Sequence, residues 1–249
     1  MNNSKKWIWT QTNRFRYQLD SLYYYSRIMR ILEDEIFIVK AITNRHGIAV
    51  DIGANFGIWS YHLSKLFVHV ESFEPICECC DVIRSTHRKN ISVHNEALSS
   101  AAGNMELRIP VEKGRLLLQS AKLGELDGQF KSEIVPVRKL DDYEFANVRF
   151  MKIDVEGHEI EVLRGAEKTI INEKPVMIIE IEQRHLDFPM NNVFDLLKSY
   201  GYNAFFLSGR KLRPYADFSY ELDQLPFLNN LSSVLYVHNF IFIPEKKRY

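Results

Sequence analysis

Short apolar runs alternate along this chain with segments whose hydrophobic residues recur at helical spacing, and that alternation predicts an α/β protein built on a mostly parallel sheet. Ile48, Val50 and Ile52 read as a first strand buried on both faces, with a helix beginning after Gly57. Val68 to Phe73 gives a second strand, Ile91 to Asn95 a short third, and Val148 to Asp154 a fourth, followed by a helix with apolar residues at Ile160, Leu163, Ala166 and Ile170. Pro175 to Glu182 makes a fifth strand, Val193 to Tyr200 a helix stopped by Gly201, Ala204 to Leu207 a sixth strand, and the β-branched and aromatic run Val234 to Ile243 the last. Between the third and fourth, Met105-Leu107-Ile109 and Ile134 to Val137 predict extra strands around a polar loop from Gly114 to Gly128, within an insertion over about residues 100–140. Loops of this kind shape pockets while the scaffold beneath them stays fixed.

The first strand runs into Asp51-Ile52-Gly53-Ala54-Asn55-Phe56-Gly57, a glycine turn at the point where an α/β sheet opens a crevice for an adenosine-bearing cofactor. Gly53 and Gly57 let the chain turn where a side chain would block a ligand. A dinucleotide fingerprint carries a glycine where this chain has Asn55, because the pyrophosphate must approach the backbone there. Asn55 therefore argues for a bulkier, less anionic group, such as the methionine end of S-adenosylmethionine, with Asp51 near its ammonium. Glu74, in Glu74-Pro75, follows Asp51 by 23 residues at the tip of the second strand, where a carboxylate can accept both ribose hydroxyls. In a doubly wound sheet the fourth strand returns beside the first, so Asp154 at its carboxyl end should face the same crevice.

VDIGANFG, FEP, ALSS and KIDVEGHEIEVLRGA, in this order, resemble the FkbM family of S-adenosylmethionine-dependent methyltransferases over about Gly47 to Phe206. The resemblance implies a Rossmann-like class I methyltransferase sheet of seven strands in the order 3-2-1-4-5-7-6, strand seven antiparallel, and methyl transfer to a hydroxyl on a sugar, a glycan or a small natural product. It also implies that Glu96-Ala97-Leu98-Ser99 is the loop beside the adenine. A carboxylate at Glu96 would accept the exocyclic amine, and Asn95 competes for that role.

Lys and Arg total 32, as do Asp and Glu, so no net basic field draws nucleic acid. No apolar run reaches the ~18 residues of a membrane span, and the first residues lack the apolar core of a secretory signal, which predicts a cytoplasmic protein. Cys77, Cys79 and Cys80 are too close together for a disulfide framework and lack the spacing of a zinc site. Residues 1–45 differ in character from residues 46–249, which form the catalytic domain on this reading. Lys5, Lys6, Arg14, Arg16, Arg27 and Arg30 face only Asp20 and are interleaved with Trp7, Trp9, Phe15, Tyr17 and Tyr23 to Tyr25. Such a segment suits a helical lid with Leu22, Met29, Leu32 and Ile36 on the main domain, a homodimer contact, or residues 1–30 lying on an anionic membrane surface.

Methyl transfer depends first on positioning two bound molecules in line, and next on a base that takes the proton of a poorly nucleophilic hydroxyl. Asp154, Glu156 and His158 are the candidates. His158 is favoured, because the start of a helix keeps an imidazole neutral. Asp154 and Glu156 share a side if the chain stays extended, with Asp154 positioning cofactor or acceptor and Glu156 orienting the acceptor or the imidazole. Asp154, Glu180 and Glu182 at adjacent strand ends form an alternative oxygen site for a divalent metal. Two readings compete with methyl transfer: a nicotinamide-dependent oxidoreductase on the same sheet, and a methyltransferase-fold binding module without catalysis.

Overall fold

The computed structural model describes residues 35–124, 128–209, 211–231 and 233–245. The lid, dimer and membrane-surface readings of residues 1–30 lie outside the described residues.

The chain opens with α1 (Glu35–Ile42), β1 (Ile48–Ile52), α2 (Ile58–Leu63), β2 (His69–Phe73), α3 (Cys77–Ser85) and β3 (Ile91–His94). Five strands follow: β4 (Ala97–Leu98), β5 (Gly103–Glu112), β6 (Arg115–Leu116), β7 (Lys122–Leu123) and β8 (Phe130–Arg138). It then returns through β9 (Val148–Ile153), α4 (Glu159–Gly165), α5 (Glu167–Glu173), β10 (Val176–Glu180), α6 (Asn191–Ser199), β11 (Tyr202–Ser208), β12 (Lys211–Pro214), α7 (Tyr220–Asp223) and β13 (Asn239–Pro244).

Eight strands form the main sheet in the order β12-β11-β13-β10-β9-β1-β2-β3. β1 pairs in parallel with β2 and β9, and β13 runs antiparallel to both β10 and β11. The sheet is therefore mixed, and it exceeds the expected seven strands because β11 folds back on itself to add the exposed edge strand β12. The last strand is also shorter than its apolar run, beginning only at Asn239.

Helices cover both faces, which is why the central strands read as nearly continuous apolar runs. On one face Ala49, Phe150, Ile178 and Ile241 pack against Ile36 and Val39 of α1 and Trp59 and Leu63 of α2. On the other, Val50, Ile52, Met151 and Ile179 meet Ile160, Leu163, Ile170, Val193 and Leu197 from α4, α5 and α6. α1 is thus built into a core of the sheet.

The expected single helix after Asp154 is two. Its chain passes so close to Ser99 that a Cβ on Gly165 would lie 2.0 Å from the Ser99 carbonyl oxygen, and it breaks at Ala166. Asp141 then caps the second helix, its Oδ2 accepting the Lys168 amide at 2.9 Å and its Oδ1 the Thr169 amide at 2.9 Å.

The extra strands make a second sheet, in which β5 and β8 pair antiparallel from Gly103↔Val137 to Pro110↔Phe130. Its inner face carries Leu107, Ile109, Val135 and Val137, buried on Ile76 and Cys79. Burial in this core pushes the Cys79 thiol above its ordinary range and that of Cys80 up to about 12, which leaves both as inert packing groups.

Phe150 shows how tightly the β9 face is filled: it is fully buried and stacks between Trp59, at 6.1 Å between ring centroids, and Phe67, at 5.8 Å. Phe150→Ala should lower unfolding stability by about 3–5 kcal/mol, read as a reduced denaturant midpoint with an unchanged slope.

Candidate active site

The two glycine-bearing motifs meet at the carboxyl ends of β1 and β9. Asp154 donates its amide to the Ile52 carbonyl at 2.9 Å, and a Cβ on Gly53 would stand 1.8 Å from the Asp154 carbonyl oxygen. Gly53 is therefore required twice, by this contact and by its φ of +76°. Gly57 answers a different need: its φ is +81°, and a Cβ there would meet Ile83 of α3 at 2.6 Å. It lines neither of the two hollows that Gly53 lines, and its bare Cα serves packing on α3. Asn55 adopts φ 48°, a left-handed conformation that Asn tolerates better than most residues, and so replaces a glycine without closing the turn.

Two hollows of about 230 and 390 Å³ share Gly53, Asn55, Gln119 and Asp154. The first is lined by Glu74, Pro75, Ile76, Ala97, Leu107, Leu123, Glu156, His158 and Glu180, and the second by Asp51, Ala54, Trp59 and Lys152. β5, β7 and the loop bearing Gln119 thus wall the cleft opposite the main sheet.

Glu74 is held as an acceptor pair, Oε2 taking the Asn55 amide at 2.7 Å and Oε1 the Ile76 amide at 2.8 Å. Each oxygen keeps lone-pair capacity for a hydroxyl of a ligand. Burial pushes its carboxyl up to about 7 against the pull of these two amides. Asp51 is fully buried and pushed up to about 6 by the same cause, and the Ser60 hydroxyl, 2.5 Å from Oδ2, partly offsets it.

Asn95 and Glu96 do not line either hollow. Asn95 spends its side-chain amide on the Glu74 carbonyl at 3.1 Å and the Pro75 carbonyl at 2.8 Å, fixing the loop rather than facing a base. Glu96 is engaged by Arg138 at 3.0 Å and by the Tyr143 hydroxyl, partners within the protein where the resemblance implied an adenine amine. Ala97 does line the cleft.

Beyond Asp154 the chain does not stay extended. Glu156 has φ 51° and Gly157 φ 96°, a tight turn, so strand alternation is not what leaves Asp154 and Glu156 lining the same hollow. Glu156 instead meets His185, whose Nε2 lies 2.8 Å from Oε2, and a Cβ on Gly157 would clash with the His185 carbonyl oxygen at 2.3 Å. Although burial alone would lower it, the imidazole is raised to about 9 by Glu156 and Glu182, so it is charged at neutral pH. His158 sits at the head of α4 with Nε2 2.9 Å from the Ser99 hydroxyl. Burial lowers its pKa, which makes it neutral at pH 7. Glu159 is buried inside the turn, accepts the Gly157 amide at 2.8 Å, and is pushed up to about 7 by burial.

The three acids proposed for a metal are not assembled. Lys152 Nζ stands 3.5 Å from Asp154 Oδ2 and 3.9 Å from Glu180 Oε2, and Glu182, itself buried, is held by Arg184, with both oxygens 2.8 Å from guanidinium nitrogens. A cation already sits between two of them, and the third is paired elsewhere. Among the described residues no group of three or more His, Cys, Asp or Glu is placed to hold a metal ion.

Sequence reasoning missed Lys152, His185, Ser60 and Ser99. A signal existed for the first: Asp51 is in register with Lys152 on β9 and with Ser72 on β2, so strand periodicity puts all three on one face. His185 and Ser99 lie in connections, where no periodicity operates.

Residues 51–204 match the family described as the methyltransferase FkbM domain. A curated relative, methyltransferase sdnD of Sordaria araneosa, is 26% identical over 155 residues, 48% of this chain and 60% of its own length. The crystal structure of an FkbM methyltransferase from Methylobacillus flagellatus is similar at 17% identity and a TM-score of 0.50, over 80% of this chain and 44% of that one. A putative rRNA methylase from Clostridium thermocellum is similar at 8% identity and a TM-score of 0.50, over 86% of this chain and 95% of that one. The chain thus spans well under two thirds of the curated relative and of the solved FkbM structure. The matched span contains the glycine turn, Glu74, Lys152, Asp154 and His158, and the chain belongs to the FkbM methyltransferase family.

Proposed function

We propose that the chain is an S-adenosylmethionine-dependent O-methyltransferase acting on a hydroxyl of a sugar, a glycan or a small natural product. The observation that carries this reading is the contact between Gly53 and the Asp154 carbonyl, which joins the glycine turn and the KIDVEGHE segment in one cleft with Glu74. The fit to the cofactor is one of charge and shape. Asp51, Glu74, Asp154, Glu156 and Glu180 outnumber Lys152 in the lining, which suits a ligand bearing a sulfonium and an ammonium. Glu74 would take the ribose hydroxyls, Asp51 the ammonium, and the apolar wall of Ile76, Ala97, Leu107 and Leu123 the adenine. Bound there, the cofactor supplies an electrophilic methyl group. The pairing of Asn55 with Glu74 and the absence of a close-approach glycine weigh against a nicotinamide dinucleotide.

His158 is the base in this reading: burial keeps it neutral, it lines the same hollow as Asp154, and Ser99 fixes the ring. With Nε2–H donating to Ser99, the Nδ1 lone pair takes the hydroxyl proton; hydrogen positions at Nε2 follow from this tautomer. Asp154 positions the bound molecules. Glu156, ionised against the charged His185, orients the acceptor hydroxyl. The second sheet and the loop after β10 shape the acceptor end.

A cationic ligand favours ionised carboxylates, so binding should pull down the raised pKa values of Asp51 (about 6) and Glu74 (about 7). Near pH 6.5, S-adenosylmethionine binding should therefore release protons, seen as a calorimetric enthalpy that changes with the ionisation heat of the buffer. Buffer-independent heats would remove the assigned role of these acids. His158→Gln should lower kcat by about 10²–10⁴ while S-adenosylhomocysteine affinity changes less than about threefold. Because the lowered pKa of His158 keeps the accepting form dominant at neutral pH, wild-type kcat should be level through pH 7 and fall only on the acid side of the ordinary histidine range. Wild-type turnover in His158→Gln would transfer the base role elsewhere.

A further inference from the structure

Lys152 is one of the largest side chains in the molecule to be fully buried, yet it lies on the floor of the cleft. Strand pairing puts it there: it faces the same side as Asp51 on β1, and one pleat further on come Asp154 of its own strand and Glu180 of β10, with Asn239 of β13 opposite Glu180. Its Nζ is ringed by oxygen acceptors, Asn239 Oδ1 at 3.2 Å, Asp154 Oδ2 at 3.5 Å and Glu180 Oε2 at 3.9 Å, and the Trp59 ring of α2 lies 5.6 Å away. From α1 it is faced by the apolar Ile36 that shares its hollow, and from β2 the buried Ser72 joins Asp51 through Ser60. An uncharged amine would present a lone pair toward these acceptors, whereas an ammonium donates to them. Asp154 and Glu180, both beside this one ammonium, would repel one another without that counter-charge, and Asp51 lies in the adjacent register of β1.

We propose that Lys152 is the built-in cation of the cleft, a positioning residue that holds the Asp51, Asp154 and Glu180 carboxylates ionised and in place for the positive end of the cofactor. Its ammonium stands between Asp154 and Glu180, two of the three acids considered above as metal ligands. The inference rests on the reading that the cleft takes S-adenosylmethionine.

The test is S-adenosylhomocysteine affinity against pH in wild type and Lys152→Met, with melting curves to show that the variant is folded. In wild type, affinity should fall only as pH drops through the range in which Asp51 and Glu74 take up protons. Without the lysine the acids hold protons to higher pH, so Lys152→Met should bind at least about 10-fold more weakly near pH 7, the effect of one pK unit, and recover toward wild type near pH 9. Binding within twofold of wild type across that range, or weakened binding that does not recover at high pH, overturns the proposal. If Lys152→Met does not fold, Lys152→Gln, which removes the charge but keeps a polar group for Asn239, takes its place under the same criteria. Independently, side-chain nitrogen spectra of the wild-type protein should show one protonated lysine protected from exchange near pH 7.5 and shifted by S-adenosylhomocysteine; a neutral amine there overturns the proposal. Failure of wild type to bind S-adenosylhomocysteine sinks the functional reading instead, and leaves the charge state of Lys152 to be judged by the spectra alone.

Discussion

The closest approach in the molecule that bears on function is between the Gly53 turn and the Asp154 carbonyl. No residue with a Cβ fits between them, so β1 and β9 run side by side to their ends and release their chains into the same space. From this one contact the cleft follows. Asp51 and Lys152 fall in register beneath it, Glu74 is brought alongside by the Asn55 amide, and the turn at Glu156-Gly157 starts directly above it. A switch point in a doubly wound sheet is usually described as a gap between crossovers. Here its width is fixed by a glycine whose absent side chain lets two backbones touch.

Beneath that contact the sheet carries a buried polar row, Ser72, Asp51 and Lys152 in lateral register, reached from above by Ser60. Buried charges are unfavourable unless paired, and a pair left with one member is worse than an apolar pair. Asp51 accepts from Ser60 and Lys152 is met by Asp154, Glu180 and Asn239, yet burial still outweighs these interactions at Asp51, whose carboxyl is raised to about 6. A site in that state is poised for a cation, since an incoming positive charge supplies what the surroundings lack.

Much of this arrangement was legible in the residues. Strand-end acids at Asp51, Glu74 and Asp154, the glycine turn, and the alternation of Met105-Leu107-Ile109 all carry a period or a spacing, and each lies on the element that its pattern predicts. What escaped has a common cause. Lys152 was read as one residue of a buried strand, and only lateral pairing with Asp51 makes it a partner. Glu96 was expected beside the adenine because Glu96-Ala97-Leu98-Ser99 resembles the family's loop there, but Arg138 and Tyr143 arrive from segments more than forty residues later and hold it. Glu156 was placed by extending strand alternation past Ile153, where the left-handed turn had already broken it. The helix split at Ala166 has the same origin, since Gly165 yields to Ser99 and Asp141 caps the next turn. Local period places an element; contacts distant in sequence decide where its side chains are spent.

The walls obey a different logic from the floor. Lys122 of β7 donates from Nζ to the His185 carbonyl at 3.0 Å, tying the second sheet to the loop after β10 across the cleft. That loop is in turn fixed through Gly157, whose missing side chain admits the His185 carbonyl, and through the ion pair between His185 and Glu156. This end of the cleft is therefore bounded by two connections that grip each other rather than by the sheet itself. Each can change length or sequence while the Gly53–Asp154 contact and the Asp51–Lys152 row stay as they are, because neither connection contributes a strand to the main sheet. The fold thus separates a fixed floor from interlocked, replaceable walls, and His185 between Glu156 and Glu182 is where the connection after β10 meets the turn after β9.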